Sequence, residues 1–275
     1  MKTSKTTKVI FFIIAAIVSI TFIFPFVWMM LTAVKPEPEV MTFPPKILPS
    51  EWKWHNFVDA WNSQTFGLYT FNSLLISFFN ILGQVISGSL AAYAFAKFDF
   101  KGKTFFFMLL LGTMMLPWDV TVIPQYMQFN MLGWIDTLKP LIVPALFGSA
   151  YYIYLMRQYV EQVSNDFSEA AKIDGANEWQ IYSEIYMPMM KPVIALVAVQ
   201  TFVTCWNDYL GPLVFLNSRS KYTLALGLAS FKGVHETAIV PTMCIAVVMC
   251  AVPIAIYLLG QAQMVEGITA GGVKG

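Results

Sequence analysis

Charged residues are scarce in this chain: Asp, Glu, Lys and Arg make up 12% of 275 residues, while hydrophobic residues make up 57%. So few ionisable groups cannot cover a water-soluble globule of this length, which places the chain in a membrane. Cysteine is almost missing. Cys205, Cys244 and Cys250 all fall in apolar runs, where they behave as small apolar residues and form neither a disulfide framework nor a metal site. The two histidines, His55 and His235, sit in separate polar segments without evident partners, so no catalytic constellation is in view. A net charge of +1 with scattered basic residues offers no stripe along which a nucleic acid could lie. The phosphate loop is incomplete as well. Gly102-Lys103-Thr104 matches its end, but Lys97 stands where the first glycine belongs and no apolar strand precedes it. There is no internal repeat and no low-complexity tract, so one membrane domain over 1–275 is expected, with its core bundle over about 71–262.

Long apolar runs are what the chain does have. A helix needs about 20 mostly apolar residues to cross the hydrocarbon layer. Six such runs stand out, over 9–31, 74–96, 105–123, 138–156, 193–216 and 239–260, which predicts an all-α polytopic protein with six transmembrane helices. Pro117, Trp118, Asp119 and Pro124 interrupt the third run, and Pro140 and Pro144 crowd the start of the fourth. Breaks of this kind are tolerated where neighbouring helices or a wet cavity satisfy the freed backbone groups.

Basic residues are retained on the cytoplasmic side of a membrane, and short loops count most. Lys2, Lys5 and Lys8 precede the first run; Lys97, Lys101 and Lys103 follow the second. With six spans these fall on the side that also holds Arg157, Lys172, Lys191 and Lys274, so both termini are expected to be cytoplasmic. The first run is longer than a signal-peptide core and no small-x-small site follows before Lys35, so it is read as a retained span. On the external side, 34–71 carries Pro36, Pro38, Pro44, Pro45 and Pro49 with Trp52, Trp54 and Trp61, which suits either an anchor at the headgroup boundary or a docking surface for an external partner.

The segment between the fourth and fifth runs, about 161–192, is unlike its surroundings. Asp166 and Glu169 have the spacing of a capping box, Ala170, Ala171 and Lys172 favour helix, Gly175 suits a left-handed corner, and Asn177 can cap a second helix. In that second helix Ile181, Tyr182 and Ile185 share a face, and Pro188 and Pro192 bracket the return to the membrane. A charged helical pair between spans calls for a soluble partner, although an ordinary capped loop facing water has the same local chemistry.

These residues resemble the signature loop of permease subunits in bacterial ABC importers: Glu169-Ala170-Ala171, Gly175, Ile185 and Pro188 match its pattern, with Met187 where leucine is usual. Leucine and methionine are close in volume, so the departure is small. Ile173-Asp174-Gly175-Ala176, Trp206-Asn207-Asp208 with Gly211-Pro212, and the tail from Val265 to Gly275 are similar to the carbohydrate branch, in particular the smaller maltose-type permease. The resemblance implies a cytoplasmic membrane location and a complex with a second permease subunit, an ATPase dimer and an external sugar-binding protein. It implies no cofactor in this chain, with ATP and Mg bound by the ATPase. It makes Glu169, Ala170, Ala171, Asp174, Gly175, Ile185 and Pro188 the ATPase-coupling residues, and gives Glu266, Gly271, Gly272 and Lys274 of the cytoplasmic tail (261–275) a second, smaller contact.

Polar groups inside apolar helices are costly in lipid and normally face a cavity or another helix. Trp206, Asn207, Asp208 and Tyr209 form the densest such cluster, and Asn80, Gln84 and Trp118 are further candidates for a substrate path. Aromatic faces with amide groups suit a sugar, while hydrogen bonding between helices accounts for the same residues equally well. An ion-coupled secondary transporter would need mid-membrane ionisable residues, for which only Asp119 and Asp208 offer themselves. An ABC importer for a solute other than sugar is the second alternative.

Overall fold

The computed structural model describes residues 5–231 and 238–272, the side chains of Thr6 and of 262–272 excepted. Among the described residues every regular element is helical. In chain order they are α1 (Lys5–Ala33), α2 (Glu37–Val40), α3 (Asn56–Asn62), α4 (Phe66–Lys97), α5 (Lys103–Thr113), α6 (Trp118–Met131), α7 (Lys139–Ile142), a 3-10 turn (Val143–Phe147) and α8 (Ala150–Gln162). There follow α9 (Asp166–Ile173), α10 (Glu178–Gln180), a π turn (Ile181–Tyr186), α11 (Met187–Met189), α12 (Lys191–Asn207), α13 (Leu210–Phe215), a 3-10 turn (Arg219–Lys221), α14 (Leu224–Ala229) and α15 (Ile239–Gly272).

Three helices are long and apolar enough to cross a bilayer: Thr7–Ala33 of α1, all of α4, and Ile239–Gln261 of α15. Two bent pairs pass the same test only when taken together, α5 with α6 at 97° and Glu178–Met189 with α12 at 72°, each a broken span or a re-entrant loop. Among the described residues this makes three to five crossings, against the six read from hydropathy. The difference lies at 138–156, which α7, the 3-10 turn and α8 divide into short pieces. Pro140 and Pro144 supply no N–H to an upstream carbonyl, and Gly148 turns the chain at φ 78° before Ser149 caps α8 through Tyr152 N–H. Helix continues into the tail through Gly272: Gln261-Ala262-Gln263-Met264 are good helix formers and isolated glycines only weaken a helix.

The chain packs as two compact units, Met1–Gly67 with Gly227–Val252, and Leu68–Leu226 with Pro253–Gly275. In the first, the segment after α1 is fastened to the end of that helix. Asn56 Nδ2 donates to the Ala33 and Lys35 carbonyls at 2.9 Å each, Lys53 N–H donates to Val34 O at 2.8 Å, and the buried Lys35 ammonium donates to Lys46 O. Trp52 and Trp54 stack at 6.0 Å and stay exposed, as either expected role of this segment would require.

In the second unit α4 carries the load. Its polar side chains face irregular backbone and satisfy it: Asn80 Nδ2 donates to Leu141 O at 2.8 Å, Gln84 Oε1 accepts from Ser149 N–H at 2.7 Å, and Ser87 Oγ donates to Leu146 O at 2.5 Å. Nearer its start Asn72 donates to Ser220 O and Tyr222 O, and Ser73 Oγ accepts from Leu224 N–H. The broken stretch therefore keeps its backbone groups bonded without regular helix. Contact is close: a Cβ at Gly83 would lie 2.6 Å from Ala145 O, so only glycine fits there. A second tie joins the loop after α6 to the one after α13. Asp136, at φ 58°, accepts from the Asn217 and Ser218 amides at 2.9 and 2.8 Å and from Ser218 Oγ at 2.5 Å, and pairs with Lys221 at 3.4 Å.

Candidate functional site

The segment between α8 and α12 folds as a helix, a corner and a second helical run. Its first helix starts one residue earlier than the spacing suggests. Asn165, not Asp166, is the N-cap residue, and its carbonyl accepts from the Ser168 and Glu169 amides at 3.0 Å. Asp166 and Glu169 instead occupy the first turn of α9, where carboxylates complement the positive end of the helix. The expected capping box does not form, and Asn165 makes no side-chain cap in its place: its Oδ1 accepts from Lys97 Nζ of α4 at 2.7 Å, and the same ammonium donates to Val163 O at 2.7 Å.

The corner forms as its residues predict. Gly175 has φ 83°, Ala176 N–H donates to Ala171 O at 2.9 Å and Gly175 N–H to Lys172 O at 3.1 Å, the paired bonds of a Schellman stop. Asn177 then opens α10 with a capping box of its own: its Oδ1 accepts from Gln180 N–H at 3.0 Å while Gln180 Oε1 accepts from Asn177 N–H at 2.9 Å.

Beyond Gln180 the second run widens into the π turn, and this is the face that roots the loop. Ile181, Tyr182 and Tyr186 are buried with Ala92 and Tyr93 of α4, Met156 and Val160 of α8, and Val193 and Val197 of α12. Tyr182 Oη is 2.8 Å from Ser89 Oγ, and the Tyr93 ring lies 5.5 Å from Tyr182 and 5.0 Å from Tyr186. Glu178 joins the two helical runs to α4, with Lys172 Nζ at 2.8 Å and Tyr93 Oη donating at 3.0 Å. The Lys172 ammonium holds the Glu178 carboxyl below its usual range, and Glu178 in turn raises Lys172. A polar cavity of about 170 Å³ lies between the end of α4 and α9, lined by Tyr93, Lys97, Lys172 and Glu178 among others.

The opposite face of α9 is open. Ala170, Asp174 and Gly175 are exposed there, together with Phe167 at 51%, Ile173 at 87% and, just past the corner, Trp179 at 64%, while Glu169, also exposed, stands at the rim of the cavity towards α4. Ala171 and Ile185 are half-buried against the cluster of Tyr182 and Tyr186, and Pro188 stands exposed before the bend into α12. Sequence reasoning passed over Phe167, Ile173 and Trp179. Their signal was there: Phe167, Ala170 and Ile173 recur every three residues, an apolar stripe on a segment otherwise too polar to be buried.

The candidate substrate residues each have local contacts of their own. Trp206 is buried and stacked on Phe202 at 5.3 Å. Asn207 is exposed and donates to Val203 O in its own helix at 2.9 Å. Asp208 Oδ1 accepts from Gly211 N–H at 3.1 Å, closing the step between α12 and α13, and Tyr209 is exposed beside it. Asn80 and Gln84 are spent on backbone, and Trp118 is exposed in the first turn of α6. Among the described residues no His, Cys, Asp and Glu group is placed to hold a metal ion. The side chain of Glu266, and His235 and Lys274, lie outside the described residues; Gly271 and Gly272 end α15.

Comparison with known proteins agrees with this architecture. Residues 84–266 match the family model described as "Binding-protein-dependent transport system inner membrane component". The chain is 31% identical over 280 residues to the arabinooligosaccharides transport system permease protein AraQ of Halalkalibacterium halodurans, covering 100% of this chain and 99% of that protein. It is 31% identical over 281 residues to the inner membrane ABC transporter permease protein YcjP of Escherichia coli, covering 100% of both. Its fold matches a chain in the crystal structure of a bacterial ABC transporter involved in the import of the acidic polysaccharide alginate, with a TM-score of 0.79 at 22% identity over 94% of this chain and 97% of that one. The chain therefore belongs to the family of binding-protein-dependent transport system inner membrane components, the permease subunits of ABC transporters, which carry solutes rather than catalyse reactions.

Proposed function

We propose that this chain forms half of the membrane pathway of an ATP-driven carbohydrate importer, and that a separate ATPase grips the exposed face of α9. The observation that carries the proposal is that face. Phe167, Ala170, Ile173 and Asp174 project from a helix whose other side is anchored to α4. An apolar stripe left open on a water-side segment marks a contact for another protein. Glu169 and Asp174 suit basic groups on the partner, and Gly175 sets the angle at which the helix is offered. Ile185 and Pro188, on this reading, shape the root of the loop, and Ala171 does the same from α9.

The broken stretch 138–156 counts as a sixth span, its free backbone groups held by α4. Both termini and α9 then face the cytoplasm. A second permease completes the pathway, an external binding protein delivers the solute, and ATP with Mg belongs to the ATPase. Carbohydrate is favoured by the full-length likeness to an arabinooligosaccharide permease and by the Trp206–Tyr209 cluster, of which Asn207 and Tyr209 are open to solute.

The test is Ile173→Asp in the whole complex reconstituted with its ATPase, second permease and binding protein. Loss of ATPase co-purification together with ATP-dependent oligosaccharide uptake is expected, with membrane insertion unchanged. Normal co-purification would refute the assigned face, and uptake driven by an ion gradient with the ATPase omitted would favour a secondary transporter.

A further inference from the structure

We infer that Tyr93 and Lys97, one turn apart on α4, form a two-point clamp on α9, so that α4 is the helix that receives the stroke of the ATPase. The inference rests on the docking role proposed for α9. Residues at i and i+4 share one helix face. From that face Lys97 holds the start of α9 through Asn165 Oδ1 and Val163 O at 2.7 Å each. Tyr93 holds its end through Glu178, which carries Lys172 of α9 at 2.8 Å. Apart from Ala171, α9 buries no apolar side chain against the cluster around Tyr182 and Tyr186, so packing alone does not fix its direction. The polar ties do.

Both ties involve groups open to water, which makes them weak contributors to stability. Their effect is on position. A force applied to the open face of α9 reaches α4 at two points, and a rigid helix transmits it along its length. Further along α4, Gln84 and Asn80 hold Ser149 N–H and Leu141 O, so the broken stretch moves with it. Tyr93 and Lys97 are positioning residues: neither lies on the docking face.

The double variant Tyr93→Phe, Lys97→Met keeps ring and stem and removes both ties. In the reconstituted complex the expected result is ATPase co-purification and basal hydrolysis as in the parent, with solute imported per ATP hydrolysed lower by about fivefold or more. A residue that only stabilised the fold would lower the yield of complex and leave that ratio alone. A ratio within twofold of the parent overturns the clamp. Should the double variant insert poorly, Tyr93→Phe alone, which loses a single hydroxyl, decides by the same ratio, as does recovery of coupling in Lys97→Arg. Failure of the docking reading is distinguishable, since it would appear as unchanged ATPase association in Ile173→Asp whatever the clamp variants do.

Discussion

Replacing Gly175 isolates the contribution of the corner. At φ 83° a side chain meets the strain of the left-handed region, yet a Cβ there would find nothing within 4 Å. The cost is therefore backbone strain alone, roughly 1–2 kcal/mol for an ordinary residue. A penalty of that size shifts the ratio of formed to unwound corners by roughly five- to thirtyfold. Asparagine tolerates the left-handed region better than alanine, and a β-branched residue tolerates it least. Uptake and binding-protein-stimulated ATP hydrolysis, measured in proteoliposomes, should fall in the order Gly, Asn, Ala, Val, and should fall together. Gly133 provides the control, with φ 65° and equally open surroundings in the loop after α6. Gly133→Val carries the same backbone strain away from α9, so it should spare ATPase association. The reasoning is refuted if Gly175→Val couples as well as the parent, or if Gly175→Asn is the worse of the two.

Two further outcomes follow from groups tied to backbone. Asn80→Ala or Gln84→Ala leaves a half-buried carbonyl or N–H unsatisfied and should cost about 1 kcal/mol of stability; a lower Tm in detergent with the substrate KM unchanged would bear this out, and a raised KM at constant Tm would make them substrate ligands. At Asp136 the Ser218 hydroxyl, followed by the Ser218 and Asn217 amides, holds the carboxyl well below its ordinary range. A depressed folded-state pKa contributes stability above the unfolded value, near pH 4, which is lost as pH falls through the lower folded value. Asp136→Asn should thus lower Tm at pH 7, with the difference narrowing only under strongly acidic conditions, and a pH-independent difference would show that the carboxylate charge is irrelevant there.

Much of the segment between α8 and α12 was legible because its signals are local. Gly175 and Asn177 act within four residues of themselves, and both formed the corner and cap their types predict. The proline-marked breaks at Pro117, Pro140 and Pro144 also appeared, whereas Pro124, read as a further interruption, lies inside α6, which continues through it. What escaped was decided by distant partners. Asn165 took the cap position while its side chain went to Lys97, 68 residues earlier, and Glu178 found Tyr93, 85 residues earlier. Hydropathy counted 138–156 as one run because it scores composition and is blind to backbone geometry. For Asn80 and Gln84, polarity within a span shows that a group must be satisfied, not by what, and the backbone of 141–149 supplies one partner for each.

The way α4 grips its neighbours has a consequence for how much sequence change this permease tolerates. Asn72, Asn80, Gln84 and Ser87 hold main-chain atoms of 141–149 and 220–222, not their side chains. Nearly any amino acid presents the same carbonyl, so side chains in those stretches can change while α4 goes on holding their backbone. Gly148, at φ 78°, and position 149 are exceptions: proline at 149 would remove the N–H that Gln84 accepts.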